Sequence, residues 1–358
     1  MLRFERVKIT RPLALLCVSM ALSGCAVPFY WQAIGGQIEL LRKRTPISNL
    51  IEDPAVDSAL RAKLSSVAAI RRFAIDELKL PDNKSYTTYV ALDRSYVIWN
   101  VVAAKEFSVD PERWCFPFAG CVAYRGFFAR DAAERFQARL KAEGLDTYSG
   151  GSSAYSTLGY FADPVLSTMI NGGEQYVAST LFHELAHQKL YIKSDSEFSE
   201  AFATAIEEYG TERWLGMHGT AADLDRYLQR RRRGADFGQL IGAQQARLRE
   251  IYAQSVPEPA KRAAKQLAFD ALQKDYAEVK TRWGGSTEYD AWFSQPLNNA
   301  ALAAVATYTR WVPALRARLE ARGLEAFYAD TDALVELTND ERAERLRGWD
   351  AEPVSASR

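Results

Sequence analysis

The stretch TLFHELAHQKL, residues 180–190, holds His183, Glu184 and His187, and so two of the three histidines in a chain of 358 residues. On a helix, residues four apart lie one above the other, so the two imidazoles project from one face and can grip a single ion from two corners. Glu184 lies about 100° round the helix from His183, close enough to reach an ion-bound water without being a ligand. That is the division of labour of a zinc hydrolase: the ion lowers the pKa of a water and polarises a carbonyl, and the carboxylate takes the proton. With histidine so scarce, chance would place such a pentapeptide here roughly a few times in a thousand. The competing reading is a pair of hydrogen-bonded helix histidines.

Zinc needs a third protein ligand, and in catalytic sites the fourth position stays open. His218 lies between glycines in GMHG and reads as an exposed turn. Glu200 fits better. In SDSEFSEAFATAIEEYG the core stripe is Phe198, Phe202, Ala205 and Tyr209, whereas Glu200 shares another face with Ala203, Thr204 and Glu207. Ala201, Ala203 and Ala205 would let this helix approach the preceding one closely. His187 stands roughly 5 Å from the end of its helix and Glu200 roughly 9 Å into the next, so an antiparallel pair brings them to similar heights. Of the neighbouring carboxylates, Glu197 is expected to cap the helix, Glu208 to be solvated, and Glu207 to accept the Nδ1–H of a ligating histidine. An oxyanion donor is sought among Tyr155, Tyr160, Tyr289, Asn299 and Tyr308.

The elements that must position these groups follow from spacing. The chain is 48% apolar and 25% charged, enough for a sizeable core in one large domain or two closely packed lobes. Its charges balance, and losing Arg3, Arg6, Lys8 and Arg11 against Glu5 leaves the remainder slightly acidic, which argues against a nucleic-acid partner. Residues 1–24 read as a signal: a basic start, then PLALLCVSMAL, which is too short to span a bilayer stably, then LSGC ending at Cys25. In an oxidising compartment Cys115 and Cys121, in WCFPFAGC, are expected to pair, with two reduced thiols as the alternative. SYTTYVAL and SYVIWNVVA look like a hairpin turning at Asp93-Arg94, CVAYRGFF like a further strand, and RDAAERFQARLKAEG like a helix closed by Gly144.

From Asn171 the pattern is helical, with Asn171 and Ser194 as expected N-caps, Gly210 as a stop or break, and later helices over 220–233, 238–281, 298–322 and 338–348. Arg230 to Arg233 read as a solvated helix end. The expected fold is mostly α (α+β): a segment over 25–45, then a domain over 46–352 in which a mixed lobe with antiparallel strands (50–170) precedes a helical lobe (171–350).

LSGC resembles the lipobox of bacterial lipoproteins, which implies lipidation of Cys25, and Ala26 after it implies the outer membrane. HELAH followed at short spacing by SEAFA resembles the glutamate-ligand zinc peptidases, the gluzincins. More narrowly, AIGGQIELL, WCFPFAGCVAYRGFF, LFHELAHQ, EAFAT and QPLNNA together resemble the bacterial putative aminopeptidase family, predicted outer-membrane lipoproteins with a zincin-like fold. The resemblance covers most of the chain. It implies peptide-bond hydrolysis with one zinc on His183, His187 and Glu200 and Glu184 as base. SAYSTLGYF is then the expected edge strand that pairs with an extended peptide. Two departures are visible: the interval from His187 to Glu200 is shorter than in thermolysin-like enzymes, and the Gly-x-Met-Glu-Asn element that binds a substrate's α-amino group is absent. Glu207 or Glu288 would have to hold that ammonium. The expectation is therefore a zinc aminopeptidase anchored in the bacterial envelope and acting on peptides or proteins. The alternatives are a zinc endopeptidase and a zinc-binding envelope factor without hydrolytic activity.

Overall fold

Short runs of β-branched and aromatic residues give brief strands in the first half of the chain, and 3.6-residue spacing gives helices through the second. The computed structural model describes residues 27–116, 120–193 and 195–351. Cys25 and Ser194 lie outside them. Helix α1 (Val27–Arg42) leads through strand β1 (Thr45–Pro46) and helix α2 (Ile47–Glu52) into α3 (Ser58–Asp76). Strands β2 (Thr88–Val90), β3 (Ile98–Ala104), β4 (Trp114–Phe116), β5 (Gly120–Val122) and β6 (Arg125–Phe127) follow. Helix α4 (Arg130–Ala142) then precedes strands β7 (Asp146–Ser152) and β8 (Val165–Leu166). The remaining elements are α5 (Ser167–Ile170), α6 (Glu174–Lys189), α7 (Ser196–His218), α8 (Ala221–Ala253) and α9 (Glu258–Arg282). After them come α10 (Asp290–Phe293), α11 (Asn299–Thr309), α12 (Val312–Arg322), α13 (Leu324–Asp332) and α14 (Asn339–Ala351). The fold is mostly α with a small mixed lobe, in agreement with the sequence reading.

The expected hairpin does not form. Strand β2 sits between β1, antiparallel, and β8, parallel, whereas β3 sits between β6 and β7 in a second, antiparallel sheet. Tertiary partners take up the intervening segment: Arg94 forks onto Glu39 of α1 at 3.2 Å, and the Leu92 N–H bonds Ser167 Oγ at 2.9 Å. Strands β4 and β5 do pair back to back, with Cys115 opposite Cys121 and the two joined as a disulfide.

The largest core joins both halves of the chain. Leu64, Ile70 and Phe73 of α3 and Val90 of β2 meet Phe182 of α6, Phe198 and Phe202 of α7, Leu315 of α12 and Phe327 of α13. Each such side chain contributes about 1.5–3 kcal/mol on full burial. A second cluster closes α8 on α9 through Phe237, Ile241 and Leu248 against Phe269, Leu272 and Tyr276.

Helix boundaries differ from the expectations for identifiable reasons. Gly210 does not end α7; a Cβ there would lie 2.5 Å from Leu78 and 2.8 Å from Phe182, so the glycine serves close packing under the α6 helix. Arg230 to Arg233 fall inside α8, where Arg231 pairs with Glu212 and Arg233 with Glu288 at 2.8 Å, so they are not a solvated helix end. The expected long helices are divided where prolines favour a fresh start: Pro257 is the N-cap residue of α9, and Pro313 lies in the first turn of α12.

Candidate metal centre

Helices α6 and α7 are joined by only residues 190–195, and that short connection folds one back on the other. Asn171 is not the cap of α6: Gly173, with φ 86°, takes that position. Glu174 instead accepts the Ser66 hydroxyl at 2.7 Å and the Trp214 indole N–H at 3.2 Å, tying the start of α6 to α3 and α7. Asp195 caps α7, accepting the Phe198 N–H at 3.1 Å, and its carboxylate also pairs with buried Arg342 of α14. Glu197, expected as a cap, pairs with Arg310 at 2.9 Å. Ala201, Ala203 and Ala205 are fully buried against neighbouring elements, and Ser179 hydrogen-bonds Thr211 across the helix pair at 3.0 Å.

This hairpin brings His183, His187 and Glu200 together. The two Nε2 atoms lie 3.1 Å apart, and Glu200 Oε2 is 3.2 Å from His183 Nε2 and 3.4 Å from His187 Nε2. With ligand distances of about 2.0–2.1 Å, the edge of a zinc tetrahedron is about 3.3 Å. The three donors therefore already stand at the spacing one small ion requires. His187 and Glu200 are both only 6% exposed, so the ion would be reached from the open fourth side. Glu207 Oε2 meets His183 Nδ1 at 3.0 Å, which turns the Nε2 lone pair towards the other two donors when an ion is held. His187 Nδ1 is buried and makes no hydrogen bond among the described residues.

The charges agree with the geometry. Burial opposes ionisation of Glu200, but His187 and His183 beside it hold the carboxyl at about 2. Burial likewise lowers the His183 pKa, yet Glu200 and Glu207 overcome it and push the imidazole well above its ordinary value. The pull of Glu200 and Glu207 on positive charge at His183 suits a divalent cation at the same point. Glu207→Gln is expected to weaken metal affinity about 10–100-fold while leaving the fold unchanged. Competition against a chromogenic chelator measures this, and an unaltered affinity would remove Glu207 from its orienting role.

Glu184 faces the same cleft, and burial raises its carboxyl above the ordinary 4.5. Behind it lies Asp163, which burial brings to about 6 against hydrogen bonds from the Thr157 N–H at 2.9 Å and the Thr157 hydroxyl at 2.8 Å. Tyr86, fully buried, feels both carboxyls, and burial with their charge lifts its hydroxyl well above its ordinary value.

The expected oxyanion donors scatter. Tyr155 lines the cleft, edge-on to Phe128, and burial raises its hydroxyl to about 12. Tyr160 is 55% exposed. Asn299 is buried and spent: its amide donates to Lys105 O at 3.1 Å and Glu106 O at 2.9 Å, and its Oδ1 accepts from Tyr252 at 2.8 Å. Tyr289 stacks on Phe237 with centroids 4.1 Å apart, and the side chain of Tyr308 lies outside the described residues. Two tyrosines not foreseen come nearer. Tyr124 is raised well above its ordinary value by burial and then by Glu200, and Tyr191 to about 12 by the same two causes. Tyr191 stands four residues after His187, a spacing that could have drawn attention, and its ring lies 6.0 Å from that imidazole. Tyr124 carries no such signal. His218, at the end of α7, stacks on Trp214 at 3.8 Å and is no part of the centre.

The cleft around the trio has a volume of about 970 Å³, and a second cavity of about 1110 Å³ shares His183, Glu207, Tyr227 and Arg230 with it. Space therefore continues on both sides of the His183–Glu207 pair. One wall is the Gly150–Ser152 end of β7, an edge strand of its sheet. The expected edge strand over 153–161 is instead a turn, held on Asp163 by Ser156 and Thr157 and reversed at Leu158 and Gly159 with positive φ. Glu208, expected to be solvated, lines the second cavity; burial raises it to about 7 against Arg316 at 3.6 Å.

A helical hairpin with two imidazoles and a carboxylate converging in a cleft defines a protein positioned to bind a metal ion. The chain belongs to the family described as "Putative aminopeptidase", whose model matches residues 28–346, and that description places it among peptidases in general. No curated protein and no solved structure matches it.

Proposed function

We propose that this protein is a zinc-dependent peptidase that removes residues from the free N-terminus of peptides, anchored to the bacterial envelope through lipid on Cys25. The convergence of His183, His187 and Glu200 at tetrahedral edge distances, with Glu184 on the same cleft, carries the reading. A zinc ion held there would polarise the scissile carbonyl and make water more acidic. The Glu184 carboxylate accepts a proton from the attacking water and delivers it to the departing amine nitrogen, so the water's oxygen ends on the new carboxyl group. Its raised pKa suits both halves of that transfer. An extended peptide can add to the unpaired side of β7 at Gly150–Ser152. Tyr124 and Tyr191, which line the same cleft, are the candidate donors to the developing oxyanion.

The cavity on both sides of the centre favours a second reading, an endopeptidase. Neither expected ammonium holder is free: Glu207 is engaged by His183, and Glu288 by Arg233 and Arg230. Matched peptides with free and acetylated N-termini separate the two readings. The aminopeptidase is expected to release the first residue of the free peptide and leave the acetylated one intact. Internal cuts in the acetylated peptide would establish the endopeptidase instead.

A further inference from the structure

Helix α1 is apolar on two faces. Inward, Leu40 is buried, Gly36 approaches the Phe128 ring so closely that a Cβ would lie 2.2 Å from it, and Phe29 and Ala33 line the cleft of the metal centre. Gln32 fixes that orientation, its amide donating to Gly126 O at 3.4 Å and its carbonyl accepting the Phe128 N–H at 3.0 Å. Outward, Tyr30, Trp31, Ile34 and Ile38 are 38%, 77%, 54% and 40% exposed. At 3.6 residues per turn these four fall within an arc of about 100°. The helix's only charged residues, Glu39 and Arg42, lie off that arc.

A contiguous apolar stripe of this kind marks a contact surface, and three observations say that lipid covers it. Cys25, the expected lipidation site, stands two residues before α1, so an acyl chain there would hold the start of the helix at the membrane surface. At the same end, the Arg125 guanidinium lies 3.9 Å over the Phe29 ring, pairs with no carboxylate among the described residues, and keeps its Nε buried without a hydrogen bond. A cation over the Phe29 ring and near exposed Tyr30, with no carboxylate partner among the described residues, is complementary to a phosphate headgroup. At the other end of α1, Arg44 donates to Ala162 O at 3.1 Å, tying on the loop that exposes Tyr160 and Phe161.

We propose that α1 lies along the membrane–water interface, with Trp31, Ile34 and Ile38 among the acyl chains and Arg125 at the phosphates. Because the opposite face of the same helix is a wall of the cleft, that wall then lies roughly one helix diameter, about 10–12 Å, from the lipid surface, with the metal centre beyond it. This inference shares with the proposed function only the lipid on Cys25.

The test uses the full chain reconstituted in phosphatidylethanolamine–phosphatidylglycerol vesicles, with and without lipids brominated on their acyl chains. The difference in emission between wild type and Trp31→Phe isolates Trp31 from the other tryptophans. For a ring sitting roughly 5–10 Å into the headgroup–acyl boundary, brominated lipid is expected to remove more than about half of that emission, and aqueous acrylamide little of it. Ile34→Glu/Ile38→Glu is expected to lose this quenching while hydrolysing a soluble peptide at the wild-type rate. Trp31 equally open to acrylamide with and without vesicles, on a chain whose mass shows acylated Cys25, would overturn the inference and leave the anchor standing. Shielding that instead accompanies self-association, with no effect of brominated lipid, would also overturn it and give the stripe to a second copy. Quenching by brominated lipid on an unacylated chain would uphold it and refute the anchor.

Discussion

Glu184→Gln is expected to keep its metal and lose at least about 10²-fold in kcat/KM, the contribution a positioned general base makes. The substitution preserves shape but removes the group that can accept a proton. Because Glu184 is not among the three converging donors, metal content should match the wild type. The wild type should also show an acid limb above the ordinary carboxyl value of 4.5, since burial raises this pKa and the base works only when ionised. In Glu184→Gln that limb should vanish along with the activity it governs. Metal analysis beside a pH profile on one peptide measures both. Full activity in the variant would end the proposed mechanism, and loss of metal would recast Glu184 as a ligand.

How much of this was legible in the sequence depended on whether a residue's role is local. His183, Glu184 and His187 act through one turn of one helix, so spacing alone was enough to single them out. Glu200 and Glu207 required a second helix folded back on the first, which the short connection and the small residues Ala201, Ala203 and Ala205 made readable. Asp163, Ser156 and Tyr86 were not readable. They come from irregular segments around β2 and β8, and only a parallel pairing between strands about 75 residues apart brings those segments beside Glu184. The missed hairpin has the same origin: β2 and β3 adjoin in sequence, and alternation cannot show that each finds its partners elsewhere. Asn299 failed in the opposite way, since this buried polar residue with a catalytic-looking context is spent on the Lys105 and Glu106 carbonyls.

Glu200→Ala is the variant expected to cost the most metal, at least about 10²-fold in affinity, since losing a donor exceeds the 10–100-fold typical of a residue that only orients one. Removing this carboxylate leaves two imidazole nitrogens 3.1 Å apart and takes away the one anionic donor among the three converging residues. Glu207 cannot substitute from where it stands, because it addresses the opposite nitrogen of His183. The loss must be distinguished from simple damage to a buried position, and linkage provides the means: an ion that binds only the folded state stabilises it in proportion to the logarithm of its concentration over Kd. Added zinc should therefore raise the thermal midpoint of the metal-stripped wild type and of Glu184→Gln, and barely move that of Glu200→Ala. Glu197→Ala, which removes from the same helix as Glu200 a carboxylate paired with Arg310 after α11, should respond like the wild type. If Glu200→Ala gained as much from zinc as the wild type, the third ligand would have to be sought elsewhere in the cleft, and the tetrahedral spacing of the three donors would lose its meaning.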